Sequence, residues 1–253
     1  MKAAVRGSDA VRPRRILVTG GSRGIGRASV VECARRGADV ILTYKSDRMM
    51  AEQAAREAEE FGVKVEIWQL DISDTESLRA FSEKIDNGPQ IDAVVLNAGV
   101  WAGGRVGTID DDTWWEVVET NLFGSYRITK LMLGMLRRSE VPSITMVSSV
   151  VGITGFPGDT AYSSAKGAMV SFAKSLAKEV VRDGIRVNVI APGFVATDMT
   201  ARLSEGVPDR VITEIPMARS GLPEEIAKGV AFLVFDGSYM TGTVLTMDGG
   251  WSL

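Results

Sequence analysis

Tyr162 and Lys166 stand four residues apart in the stretch AYSSAK, just after a Gly- and Pro-rich segment that follows Ser148 and Ser149. On a helix that spacing puts both side chains on one face, one turn apart. An ammonium beside a phenol favours the phenolate, so Lys166 is expected to lower the Tyr162 pKa from about 10. A tyrosine tuned in this way can exchange protons near neutral pH. The chain has no histidine. That excludes Ser-His-Asp and Cys-His nucleophile arrangements and the usual histidine metal sites, and no metal site is expected. Acid–base work therefore falls to Tyr, Lys, Asp or Glu.

These residues need elements to position them. Ile16-Leu17-Val18 reads as a strand, followed by the turn TGGSRGIG at 19–26 and by a helical pattern ending at Gly37. Val40 to Tyr44 is a second buried strand, so the segment is a βαβ unit of about thirty residues. In its turn, Gly20 permits the sharp bend, Gly24 lets backbone approach a pyrophosphate, and Gly26 lets helix and strand pack closely. Gly21, Ser22, Arg23 and Ile25 complete this phosphate loop, whose helix N-terminus offers free N–H groups. The second strand ends in Tyr44-Lys45-Ser46, with no carboxylate until Asp47. An NAD site places an acid there; Lys45 together with Arg23 suits a 2′-phosphate and favours NADPH/NADP+.

The alternation continues. A third strand runs through Val63, Val65 and Ile67 to Leu70-Asp71-Ile72, where Asp71 either meets an adenine amino group or serves as a turn or cap aspartate. Ile91 to Leu96 is continuously apolar, as in parallel sheets covered on both faces, and it ends in Asn97-Ala98-Gly99. A helix is expected from about 113 to 137, with Asn121 inside it, a poor helix former that could equally be a core residue bonded to backbone. Ile144 to Val147 is a fifth strand, and the helix bearing Tyr162 and Lys166 runs to about 182. Arg186 to Ala191 is a sixth strand and Thr243 to Met247 the last. The segment 194–222 lacks periodicity and is expected to be a substrate lid. The pattern predicts an α/β fold: one doubly wound domain at 13–253, a Rossmann fold with seven parallel strands and helices on both faces, preceded by a mobile tail at 1–12. Gly20, Lys45, Asp71, Asn97, Ser149 and Pro192 would then gather along one sheet edge, and the loop 152–159 would wall a substrate pocket.

Composition agrees with this reading. With 45% hydrophobic and 24% charged residues the chain is typical of globular domains. A net charge of −3 does not favour nucleic acid as a partner. No apolar run approaches the roughly 20 residues that span a bilayer. Cys33, the single cysteine, fits a buried position and a reducing, cytoplasmic compartment.

Taken together, TGGSRGIG at 19–26, Asp71, NAG at 97–99, Asn121, Ser149, YSSAK at 162–166 and PGFVATDM at 192–199 resemble the short-chain dehydrogenase/reductase family, over about Arg14 to Gly250. The resemblance implies hydride transfer between a nicotinamide cofactor and a carbonyl or alcohol by a tetrad of Asn121, Ser149, Tyr162 and Lys166. Tyr162 would donate the proton and Ser149, rather than Ser148, would orient the substrate oxygen. Lys166 would depress the Tyr162 pKa and bond the nicotinamide ribose, and Asn121 would hold a relay water. The cofactor set would include Gly20 to Gly26, Lys45, Asp71, Ile72, Asn97, Gly99, Tyr162, Lys166, Val195 and Thr197. Several stretches are most similar to 3-oxoacyl-(acyl-carrier-protein) reductases, which implies a β-ketoacyl thioester and an acidic carrier docking near Arg137-Arg138 and Arg182, although Glu140 and Asp183 interleave with these cations. Trp101 and Gly103-Gly104 would shape the pocket, and a homotetramer would pair the helices of 113–137 and 160–182. Two alternatives are an oxidative dehydrogenase of a sugar, steroid or other secondary alcohol, and a non-catalytic dinucleotide-binding regulator. The complete tetrad argues against the regulator.

Overall fold

The computed structural model describes residues 12–202 and 207–253. Its centre is a seven-stranded, wholly parallel sheet in the order β3-β2-β1-β4-β5-β6-β7, formed by β1 (Arg15–Val18), β2 (Asp39–Tyr44), β3 (Val65–Gln69), β4 (Ala93–Leu96), β5 (Ser143–Val147), β6 (Arg186–Pro192) and β7 (Val244–Met247). The chain is Rossmann-like, as the alternation predicted. The strands are apolar along their whole length because both faces are covered. Ile16, Leu17 and Val18 are all fully buried yet divide between two cores, since successive side chains point to opposite faces. Ile16 and Val18 pack under α1 (Gly24–Arg35), α2 (Arg48–Glu59) and α9 (Pro223–Ala231). Leu17 packs under α3 (Thr75–Asp86), α5 (Gly124–Leu136) and α7 (Thr160–Val180). Each such side chain contributes about 2 kcal/mol by leaving water.

Strand order reverses at β1, whose neighbours are β2 and β4. Crossovers leave on opposite faces there, so a crevice opens at the carboxyl edge between β1 and β4. The two loops at that point are nearly in contact: a Cβ on Gly20, at φ +65°, would lie 2.9 Å from Ala98 Cα.

Three expectations need correction. The helix predicted over 113–137 is α4 (Asp111–Val118), a π-helical turn at Glu119–Phe123, and α5. Asp110 caps α4 by accepting from the Thr113 N–H at 3.0 Å. The segment 194–222 is not without regular structure: it holds a 3₁₀ turn at Thr200–Arg202 and α8 (Val207–Glu214), while 203–206 lie outside the described residues. The expected tail lies outside them over residues 1–11. Arg12, assigned to that tail, is anchored instead, with its two terminal guanidinium nitrogens donating to Asp92 at 2.7 and 2.8 Å.

Asp92, only 2% exposed, also accepts from Arg15 N–H and from the Ser139 hydroxyl, tying β1, β4 and the end of α5 together. Burial works to raise its pKa, but Arg12, the Arg15 N–H and Ser139 outweigh it and hold the carboxyl below the usual range. A folded pKa below the unfolded one adds stability above the unfolded value of about 4, lost as pH falls through the folded value. Asp92→Asn is therefore expected to destabilise the fold by about 1–3 kcal/mol at neutral pH. Denaturant midpoints should show that gap closing on acidification below the carboxylate range.

Candidate active site

The phosphate loop follows from sequence chemistry. Gly20 and Gly24 both adopt positive φ, and a Cβ on Gly26 would collide with the Gly20 carbonyl oxygen. Gly21 lies tight on Leu42 and Val30, and Ser22 is buried beside it. The N-terminus of α1 has no side-chain cap at Arg23 and no acid in its first turn. Its N–H groups and positive dipole end are left for an anion. Ile25 packs its side chain toward the core, so only its backbone is offered. These features fit a dinucleotide pyrophosphate.

Asn97 fixes this loop. Its amide donates to the Thr19 and Gly20 carbonyls, both at 3.0 Å, while Thr19 Oγ1 accepts from the N–H groups of Asn97 and Ala98. The Asn97 amide nitrogen thus holds the turn. Lys45 and Asp71, from neighbouring strand ends, form an ion pair at 2.9 Å. Asp71 also accepts from the Ser73 N–H and hydroxyl, the turn alternative for this residue. Burial works to raise the Asp71 pKa, but Ser73 and Lys45 hold it low. Ile72 buries its side chain against Gly124. Arg23 stands within 4.0 Å of Asp47 and 3.9 Å of Asp198. From the far side of the cleft Val195, buried, bridges to Gly221, and Thr197 lies against Gly24.

Tyr162, Lys166, Ser149 and Asn121 come together where β4 and β5 end. Lys166 is 3% exposed; its Nζ donates to Val147 O at 2.8 Å and lies 5.5 Å from the Tyr162 ring centre. Burial pulls its pKa down to about 8. Ser148 donates to the Lys166 carbonyl at 2.8 Å, pinning the helix, whereas Ser149 lies on the Tyr162 side, where its hydroxyl works to lower the phenol pKa. Two serines that the sequence left adjacent thus divide between structure and site. Asn121 is fully buried within the π-helical turn, and its amide donates to Val100 O and Val117 O, both at 2.8 Å. Its Oδ1 is buried without a partner and faces Gly99, where a Cβ would overlap it and lie 3.6 Å from Lys166 Nζ. The amide thus shows the backbone-bonded reading of Asn121, while its carbonyl oxygen is left without a partner on the Gly99 side.

The expected fall in the Tyr162 pKa is not found. Burial pushes the phenol up, the Asp159 charge adds to this, and the Ser149 hydroxyl opposes it. The Lys166 ammonium is engaged with the Val147 carbonyl and does not offset burial. A raised pKa keeps the phenol protonated, the form that donates.

Sequence reasoning placed Gly152 and Asp159 only as the ends of a pocket wall and passed over Gly167. A Cβ on Gly167 would lie 2.8 Å from the Gly152 carbonyl oxygen, so two bare backbones meet where α6 (Val151–Thr154) crosses α7. A glycine inside a strong helical pattern was the available signal. Asp159 belongs to the predicted pocket wall, and the wall has its own bonds. Trp101 Nε1 donates to Asp159 Oδ1 at 3.0 Å, and Phe156 packs on Trp251. No group of His, Cys, Asp or Glu able to hold a metal occurs among the described residues. Without cofactor, the Lys166 ammonium is expected to lose its proton near pH 8, followed by NMR of the lysine side chain; titration above 10 would contradict the desolvated geometry.

Comparison with known proteins agrees with this geometry. A family model described as Enoyl-(Acyl carrier protein) reductase matches residues 20–252. The 3-oxoacyl-[acyl-carrier-protein] reductase FabG of Haemophilus influenzae is 41% identical over 236 residues, 92% of this chain and 96% of that protein. FabG of Pseudomonas aeruginosa is 41% identical over 92% of this chain and 95% of its own. Among solved structures, the acetoin dehydrogenase YohF of Salmonella typhimurium superposes with a TM-score of 0.86 at 31% identity, covering 95% of this chain and 96% of that one. The chain belongs to the short-chain dehydrogenase/reductase family of oxidoreductases.

Proposed function

We propose that this oxidoreductase is an NADPH-dependent reductase of a ketone, with a 3-oxoacyl thioester as its substrate and Tyr162 as proton donor. The observation that carries the reading is the convergence of a half-buried, protonated Tyr162 with Ser149 and the desolvated Lys166 beside the glycine turn. When bound, the nicotinamide supplies the hydride. As negative charge grows on the ketone oxygen, Ser149 orients that oxygen by a hydrogen bond and Tyr162 gives it a proton. Lys166 bonds the ribose, and its ammonium, near neutrality in pKa, can return a proton to the phenol. The unpartnered Asn121 Oδ1 is an acceptor for a relay water linking Lys166 to solvent. Lys45 and Arg23 bind the 2′-phosphate, each leaving a carboxylate it faces in this structure. Thr197 and Val195 contact the nicotinamide end, and 194–222 acts as the lid. Identity with named 3-oxoacyl-[acyl-carrier-protein] reductases supports the thioester.

For the carrier, Arg138 and Arg182 are exposed, but Arg137 is paired with Asp183 at 2.7 Å and must let go to bind an acidic partner. A homotetramer is supported by Trp115, Phe123 and Tyr126, exposed aromatics on α4, the π-helical turn and α5, with Phe172 of α7 packed on Tyr126. A cytoplasmic setting is in keeping with one buried thiol. No helix among the described residues is long and apolar enough to cross a membrane. A second reading, an oxidative alcohol dehydrogenase, is favoured by the likeness to an acetoin dehydrogenase.

A panel of short 3-oxoacyl thioesters, free and carrier-bound, and of secondary alcohols, with both cofactors, separates these readings. Faster turnover of alcohols than of thioesters would favour the second. Tyr162→Phe is expected to abolish turnover while NADPH still binds, read by nucleotide fluorescence; a substantial residual rate would remove Tyr162 from the acid role. Lys45→Ala is expected to weaken NADPH by about tenfold or more while changing NADH little. Equal losses for the two cofactors would overturn the 2′-phosphate assignment.

A further inference from the structure

Asp159 occupies the residue before the first turn of α7, where an aspartate normally accepts from the helix's free N–H groups. It makes no such bond. Its Oδ1 instead accepts the Trp101 indole N–H at 3.0 Å. Among the described residues no other donor meets the carboxylate, and no Arg or Lys pairs with it. The seam around it is closed by backbone: the Gly104 N–H donates to Gly158 O at 2.8 Å, and Gly104 bridges to Asp159. A Cβ on Gly103 would stand 2.7 Å from the Trp101 ring, so the indole rests on bare backbone with its N–H aimed at the carboxylate. The aspartate is partly buried, one helical turn before Tyr162, and its charge reaches the phenol.

We propose that Asp159, held by Trp101, is a specificity-determining residue that repels ketones carrying a carboxylate or phosphate near the carbonyl and admits neutral ones such as esters and thioesters. Like charges in a partly desolvated cleft repel more strongly than in water, and such repulsion selects among substrates that fit equally well. The proposal rests on the ketone-reductase reading above and adds the class of ketone accepted.

The test is the ratio of kcat/KM for ethyl 3-oxobutanoate to that for 3-oxobutanoate, which share the reacting ketone and differ in charge. The wild-type ratio is expected to favour the ester by about tenfold or more. Asp159→Asn keeps the shape and an acceptor oxygen for Trp101, and is expected to bring the ratio down about tenfold. Any change in the Tyr162 phenol acts on both ketones and leaves the ratio alone. Raising the salt concentration should narrow the wild-type ratio without any substitution. A ratio unchanged by Asp159→Asn would overturn the proposal whatever the effect of salt, because other charges also respond to salt. If neither ketone turns over, the reductase reading fails, and saturation-transfer NMR with the same two molecules still decides the matter: ester binding without anion binding supports the filter, and equal binding overturns it.

Discussion

The site depends on a cation taken out of water. Lys166 is buried with its Nζ on the Val147 carbonyl, a placement that desolvation opposes. It persists because α7 is held from several directions at once. Ser148 bonds the Lys166 carbonyl, Gly152 and Gly167 let backbone meet backbone, and Met169 and Ala173 sit in the core beneath β5. The same burial that brings the lysine near neutrality raises the phenol, so one physical cause sets both protonation states in the proposed proton path.

On the other half of the cleft the charges are provisional. Lys45 faces Asp71, and Arg23 faces Asp47 and Asp198, with every partner at least a quarter exposed. Exposed pairs of this kind are worth little, so a phosphate can displace the carboxylates at small cost. Asp198 also belongs to the segment 194–222 proposed as a lid. An Arg23 that changes partner would link the lid to the state of the phosphate loop.

The alternation of apolar runs with helical patterns made the doubly wound sheet legible in the sequence, because parallel strands buried on both faces leave no polar alternation to read. The glycine turn was legible for a similar reason: its backbone conformation admits few other residues. Asp71 and Asn121 were left with two readings each. Asp71 is a turn residue that also pairs with Lys45, and Asn121 divides its two polar atoms between structure and cleft. The π-helical turn that aims Asn121 was not legible, because one extra residue in a helical turn leaves hydrophobic periodicity almost unchanged.

Local chemistry fixed by residue type was therefore determined by the sequence: the strands, the phosphate loop, and the spacing that places Tyr162 over Lys166. Solvent exposure and partner choice were decided only by tertiary structure. Whether Lys166 lowers the Tyr162 pKa depends on how far each is desolvated, which no spacing encodes. That Asp159 turns from its helix to Trp101 depends on two loops meeting across 58 residues of chain. Charge–charge and desolvation energies depend on distance and burial in three dimensions, so they appear only once the sheet has gathered its strand ends along one edge.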